Sequence, residues 1–389
     1  MIDLQQEIRR LPDEVIYGAG AVEQVPRLVE ELRAQRVLLV CGRRSFEASG
    51  AAGMLSDLRS AAAVDRWSDF SPNTDAADLE RGLEVLRATR PDLVLGIGGG
   101  SAMDMAKLLC AFQHTAFQQV TDAIPAAGRI DQRDPTLVLV PTTSGSGSEA
   151  THFAVVYVGH EKFSIAGPAM LPDRVVLDPE LSRSGTAYQR ATSGIDAVCQ
   201  AIESLWATNA TAESRVDARR SLDLGLDNLE AFVHDPTSTA AEGMALASHL
   251  AGRAINISKT TAPHALSYGI TKRHGISHGH AVAMTLGAFL EAHAQADDAE
   301  LQPDVDPDAH RAVMHEILRA LGATDGPSAR GRFVALLDRI GLEPHLAAAG
   351  ISDRGEIGVL ADNVNLERLS NNPVRFDRST LRGILERAD

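Results

Sequence analysis

Cysteine is nearly absent. Three residues, Cys41, Cys110 and Cys199, are spread over 389 positions, which excludes a disulfide framework and a CxxC zinc site and points to a reducing compartment. Aromatic side chains are scarce, at 4%, so aliphatic residues and alanines must build the core, as in α/β and all-α proteins. Long apolar runs are also missing. The opening MIDLQQEIRRLPDEVIYG interleaves charge with apolar residues and has no stretch of the length a signal peptide needs. The most apolar region, Asp92 to Phe112, is broken by Asp104, Lys107 and three consecutive glycines, so no membrane span is expected. Basic charge is in deficit, 37 Lys+Arg against 52 Asp+Glu for a formal net charge of −15, which makes nucleic acid a poor partner. A cytoplasmic protein without membrane or nucleic-acid partners is expected.

What is present is an alternation of strands and helices. RVLLVCG from Arg36, DLVLGIGGG from Asp92 and TLVLVPTTSGSG from Thr136 are apolar runs ended by small residues, the pattern of strands buried on both faces of a parallel sheet. Helical spacing over Asp78 to Thr89 and Ser101 to Phe112 separates them, as in βαβ units. After Pro179 the strand signals stop, and 187–207, 211–233 and 239–257 carry helical periodicity. The expected architecture is an α/β dinucleotide-binding domain over residues 1–185 and an all-helical metal- and substrate-binding domain over 186–389. Ala296 to His310 is acidic, contains two prolines and reads as a solvated loop.

Gly98-Gly99-Gly100-Ser101 follows one strand directly and opens a helix, a place where backbone N–H groups can approach a diphosphate. It is not the GxGxxG fingerprint, and such a turn also occurs without a ligand. Thr142, Thr143 and Ser144 begin a second donor-rich turn at the end of the next strand, so the two turns together suggest one extended ligand. The first strand ends in Gly42-Arg43-Arg44 with no carboxylate nearby in sequence, which would tolerate or prefer a ribose 2′-phosphate and so favour NADPH.

In GIDAVCQAIE, Asp196 and Gln200 stand four residues apart on one helix face. His264 and His278 are separated by Gly269 and Gly275 and followed by Gly279, so the chain between them can fold back. A carboxylate and two imidazoles suit Zn²⁺ or Fe²⁺ and leave positions for a substrate oxygen, although either histidine alone is more commonly a core or surface residue.

GGGSAMDMAK, PTTSGSGSE, KFSIAGPAMLPDRVVLDPEL, GIDAVCQAIES and HALSYGITKRHGISHGHAVA resemble, in order and separation, the iron-activated or group III alcohol dehydrogenases. The similarity covers nearly the whole chain. It implies a dehydroquinate synthase-like fold, NAD(P)-dependent oxidoreduction and a divalent metal. By resemblance, Gly98 to Ser101 would bind diphosphate with Asp104 on the same helix, Thr142 and Thr143 would lie near the nicotinamide, Lys162 would contact cofactor and Asn73 would sit near the adenosine. The metal ligands would be Asp196, His264 and His278. Gln200 stands where the family usually has a histidine ligand, so it would coordinate through its carbonyl, bind through water, or leave the site poor in metal. Tyr268 also replaces a common family histidine.

ThrThrAlaProHisAlaLeuSerTyr, CysGlnAlaIleGlu and SerAsnAsnProValArg look most like the phosphonoacetaldehyde reductase branch. Lys259, Lys272 and Arg273 surround the expected metal segment and are candidates for an anionic group on the substrate. The expected reaction is NAD(P)H-dependent reduction of a small anionic aldehyde by a homo-oligomer, with Tyr268, His280 or water as proton donor. Another small alcohol or semialdehyde substrate, a dehydroquinate synthase-like cyclase, and a non-catalytic nucleotide-binding protein are the alternatives.

Overall fold

The three most apolar runs form the centre of one parallel sheet. The computed structural model describes residues 3–115, 120–159, 161–364 and 369–388. Its strands are β1 (Val15–Tyr17), β2 (Arg36–Cys41), β3 (Ala63–Trp67), β4 (Leu93–Gly98), β5 (Thr136–Pro141), β6 (Phe153–Val158), β7 (Glu161–Ala166) and β8 (Arg174–Leu177). Six of them run β1-β8-β5-β4-β2-β3, and every neighbouring pair is parallel. From Val37 to Cys41 and throughout β4 every residue is buried, whereas edge strand β3 exposes Asp65 and Arg66, charges that discourage a further strand from pairing there. The helices α1 (Ala76–Thr89) and α2 (Gly100–Ala111) supply two of the crossovers.

The order places β2 between β3 and β4, so the connection after β2 runs to β3 on one side and the connection after β4 runs to β5 on the other. Ligands of open α/β sheets bind at the carboxyl ends of such strands. Both Gly42 and the Gly98–Gly100 turn lie there, since Cys41 pairs with Ile97 in register.

One feature departs from a purely parallel unit. β6 and β7 form an antiparallel hairpin, and two thirds of its strand residues are partly or fully exposed, so it lacks the unbroken apolar pattern of the sheet strands.

From Thr186 the chain is helical, and contacts divide it into two units, Asp3–Gly185 and the rest from Thr186 onward. The principal helices of the second unit are α3 (Ala187–Trp206), α4 (Ala212–His234), α5 (Ser238–Ser258), α6 (Ala262–His274) and α7 (His278–Gln295). Thr186 with Gln189 and Thr211 with Ser214 form capping boxes that start α3 and α4. Ile195, Leu222, Phe232, Met244, Phe289 and Phe333 belong to one buried core, and truncating any of its phenylalanines to alanine costs about 3–5 kcal/mol.

The acidic stretch 296–310 is not a solvated loop. Leu301 is buried and bridges Val374, and a helix, Pro307–Ala320, begins inside the stretch. Asp306 caps that helix and Pro307 takes its first turn, so the acid and proline read as loop chemistry are a helix start. No helix among the described residues is long and apolar enough to cross a membrane. The three cysteines are free and buried.

Candidate metal centre and dinucleotide turns

At the end of β4 the backbone of Gly98 adopts φ +155, a conformation that L side chains avoid. A Cβ at Gly99 would lie 3.3 Å from Thr143 Oγ1, so the two turns approach each other closely. Thr142 N–H also donates to Gly98 O at 2.9 Å. Asn73, in the left-handed region at φ 63, donates its N–H to Ser101 Oγ at 3.1 Å. The structure therefore brings Asn73, Gly98, Gly99, Gly100, Ser101, Thr142 and Thr143 to the carboxyl ends of β4 and β5.

Three expected cofactor residues have partners within the protein. Asp104 Oδ1 accepts from Ser148 Oγ at 2.6 Å and Oδ2 accepts from Val155 N–H at 2.9 Å, so this carboxylate ties α2 to the second turn and the hairpin. Burial pushes its pKa up, against the pull of Lys107. Ser144 Oγ donates to buried Ser182 Oγ at 3.1 Å. Lys162, on β7, acts electrostatically on Asp104. One turn beyond Asp104, wholly buried Lys107 donates to the carbonyls of Ser148, Thr151 and Phe153 and to Thr151 Oγ1. Burial lowers its pKa to about 8, opposed by Asp104 and Glu149. Sequence reading passed over Lys107, whose place on the apolar helix face was the available signal.

The carboxylate missing after β2 is supplied from β3. Arg43 donates to Ser68 O at 3.1 Å and pairs with Asp69, whose position 26 residues on hid it from a local reading. The guanidinium is thus partly neutralised.

In the helical unit, Asp196, His264 and His278 come together, with one donor atom from each within 4.8 Å of the others. The sequence explains the approach. Gly279, directly after His278, lies against α3: a Cβ there would enter the envelope of Thr192 O and stand 2.7 Å from Asp196 Cβ. Only glycine lets the start of α7 approach this closely.

Each ligand candidate is held from behind. Glu203, seven residues after Asp196 on α3, is completely buried and accepts the hydrogen bond of His264 Nδ1. It also accepts from Thr261 N–H at 2.9 Å and Thr261 Oγ1 at 2.8 Å, while Trp206 Nε1 donates to Thr261 Oγ1 at 2.9 Å. A carboxylate on Nδ1–H leaves Nε2 as the ligating nitrogen. Ser267 Oγ donates to His264 O at 2.7 Å, so its lone pair meets His278 Nδ1 at 3.2 Å, which likewise leaves Nε2 of His278. Gln200 Nε2 donates to Asp196 Oδ2 at 3.1 Å. Sequence reading missed Glu203, Thr261 and Trp206.

Two buried atoms, Asp196 Oδ1 and His264 Nε2, face each other at 3.4 Å and neither has a hydrogen-bond partner. Burial lowers the His264 pKa, but Glu203 and Asp196 outweigh it and raise the imidazole to about 10. A site with two buried carboxylates and an unpartnered imidazole nitrogen calls for a cation. The donor set fits a divalent metal of the iron or zinc kind.

Of the two expected proton donors, Tyr268 stacks on His278 with centroids 5.6 Å apart and planes 6° from parallel. His280 departs from expectation: Nε2 meets Glu343 O at 2.7 Å and Nδ1 meets Tyr188 Oη at 3.3 Å. Both ring nitrogens are engaged and burial lowers its pKa. Lys272 and Arg273 stand six and five residues before His278. They occupy the exposed last turn of α6, eight or more residues beyond His264 and so about 12 Å along the axis, where positive charge complements the helix dipole. Lys259 precedes the other end of that helix.

The N-terminal model of the family described as iron-containing alcohol dehydrogenase matches residues 12–179, and the C-terminal model of the Fe-containing alcohol dehydrogenase family matches 190–388. The chain is 34% identical over 310 residues to phosphonoacetaldehyde reductase of Streptomyces viridochromogenes, covering 77% of each protein. It is 28% identical over 385 residues to long-chain-alcohol dehydrogenase 1 of Geobacillus thermodenitrificans, covering 95% of this chain and 94% of the relative. Among solved structures, sulfoacetaldehyde reductase from Bifidobacterium kashiwanohense in complex with NAD⁺ superimposes with a TM-score of 0.84 at 26% identity, covering 97% of both chains.

Proposed function

The chain belongs to the iron-containing alcohol dehydrogenases and is an NAD-dependent alcohol dehydrogenase or aldehyde reductase; on that premise we propose that its substrate is a small aldehyde bearing a phosphonate or similar anion, with phosphonoacetaldehyde reduced to 2-hydroxyethylphosphonate. The observation that carries the chemistry is the convergence of buried Asp196 and His264 with half-buried His278. The choice of substrate is supported by the 34% identity to a phosphonoacetaldehyde reductase.

A bound reduced nicotinamide would supply the hydride for the carbonyl carbon, and one proton added to the oxygen completes the alcohol. A divalent ion held by Asp196, His264 and His278, with the Gln200 carbonyl as fourth partner, would supply Lewis-acid polarisation. The protein's own part is orientation. Glu203 and Ser267 select the imidazole tautomers, and Gln200 fixes the Asp196 carboxylate. With His280 committed to Glu343 and Tyr188, Tyr268 Oη and water remain as proton sources. Because Asp69 offsets Arg43, both NADH and NADPH are accepted.

The test is cofactor oxidation with phosphonoacetaldehyde, sulfoacetaldehyde, succinic semialdehyde, lactaldehyde and butanal, using NADH and NADPH in turn. Stoichiometric oxidation fastest with phosphonoacetaldehyde supports the proposal. Equal rates on neutral and anionic aldehydes contradict it, and phosphate release without net cofactor oxidation would indicate a cyclase.

A further inference from the structure

We infer that Trp206 and Thr261 are positioning residues of the metal centre, acting on His264 through Glu203; this deepens the reading of that centre above and rests on it. Thr261 is the N-cap residue of α6, yet its side chain caps nothing. A threonine there ordinarily turns its oxygen to an N–H in the first turn of its own helix. In α6 Pro263 has no N–H to offer, and the N–H of His264 goes to Glu203 Oε1 at 3.4 Å. Glu203, from α3, does the capping instead, since the same oxygen accepts Thr261 N–H at 2.9 Å and a carboxylate suits a helix N-terminus. The Thr261 hydroxyl is thereby released from its usual task and lies 2.8 Å from that oxygen too.

Trp206 decides which way that hydroxyl points. An indole N–H donates and accepts nothing, so at 2.9 Å from Thr261 Oγ1 it engages a lone pair and leaves the single hydroxyl hydrogen for Glu203. The indole is buried and packs against the His293 ring with centroids 4.3 Å apart, which holds the N–H in place. The backbone around Thr261 is clamped separately. The Asn371 amide donates to Ser258 O at 2.8 Å and Thr260 O at 3.0 Å, and Ala262 N–H reaches Asn372 Oδ1 at 3.3 Å. Trp206 therefore acts on the hydroxyl alone. Three donors on Oε1 set the plane of the Glu203 carboxylate and leave Oε2 to accept from His264 Nδ1. One chain of hydrogen bonds thus runs from Trp206 through Thr261 and Glu203 to His264, whose Nε2 lies 3.4 Å from Asp196 Oδ1. All four links are buried, where such bonds strengthen one another.

The test measures Zn²⁺ affinity by competition with a chelator for wild type, Trp206→Phe, Thr261→Val, Thr261→Ser and the Trp206→Phe/Thr261→Val double variant, with thermal midpoints of the metal-free chains in parallel. Thr261→Val is expected to weaken binding about tenfold and Trp206→Phe at least about threefold, while Thr261→Ser, which keeps the hydroxyl, stays within about twofold of wild type. In the double variant Trp206→Phe is expected to bring no further loss, because its route to the centre is already gone. Equal losses from Trp206→Phe with and without the Thr261 hydroxyl would reveal a packing effect and overturn the inference. A serine variant as weak as the valine one overturns it as well, and so does unaltered affinity in either Trp206→Phe or Thr261→Val. If Thr261→Val does not fold, Trp206→Phe decides alone by the presence or absence of its threefold loss. If wild type itself holds no Zn²⁺, the reading of the centre fails and this inference with it; if wild type binds and the variants bind equally well, the centre stands and the inference falls.

Discussion

Glu203 and His264 are joined by a hydrogen bond between a buried carboxylate and Nδ1 of a buried imidazole, and this contact presents Nε2 to Asp196. Glu203 accepts from three further groups, Thr261 N–H, Thr261 Oγ1 and, at 3.4 Å, His264 N–H. Changing Glu203→Gln sets an amide N–H₂ among these donors. Metal affinity should fall about 10–100-fold, measured by competition with a chelator, while the circular dichroism spectrum stays helical. Unaltered affinity would mean that the imidazole does not need its carboxylate.

Gln200 stands where the resemblance leads one to expect a histidine ligand, and its amide donates to Asp196 Oδ2. Gln200→His should slow metal loss to a chelator at neutral pH, because imidazole is the stronger ligand for zinc or iron. An unchanged loss rate would place residue 200 outside the coordination sphere.

Lys107 predicts both a mutational and a pH effect. Lys107→Met leaves the carbonyls of Ser148, Thr151 and Phe153 without their donor and should destabilise the α/β unit by about 3 kcal/mol in denaturant titrations. Burial depresses the folded pKa to about 8 from the ordinary 10.5. Below pH 8 the lysine is protonated in both states and the burial penalty is complete. Between about pH 8 and 10.5 the unfolded chain holds more protons, so stability rises with pH. Wild type should therefore gain on the methionine variant across that window, and parallel pH profiles would contradict the assignment.

Arg43 and Asp69 form an ion pair, and the proposed use of both cofactors rests on it. Asp69→Asn should shift the ratio of kcat/KM values toward NADPH by about tenfold, in steady-state assays with each cofactor. A ratio that does not move would place the ribose phosphate elsewhere.

The parts of the fold that were legible in sequence are those where one local pattern decides. Leu93 to Gly98 is apolar throughout and ends in glycines, and Thr186 with Gln189 marks a helix start in four residues. The hairpin β6-β7 was missed because half-exposed strands carry weak patterns, and Asp306-Pro307 was misread because loop and helix-start chemistry share residue types. The triad was read from the helix spacing at Asp196, from the glycines around His264 and His278 and from the resemblance, but the carboxylate behind it was passed over. Glu203 lies two helical turns from Asp196 on the same face, among Val198, Cys199, Ile202 and Leu205, and a carboxylate in such company was a signal. Asp69 could not be seen, because its meeting with Arg43 depends on β2 and β3 being neighbours.

The most direct measurement is metal stoichiometry. Chain purified anaerobically and reconstituted with Fe²⁺ or Zn²⁺ should hold one ion per chain, and Asp196→Ala, His264→Ala and His278→Ala should each abolish retention without loss of helical signal. Retention of a full equivalent by any of the three variants would contradict the account of the centre.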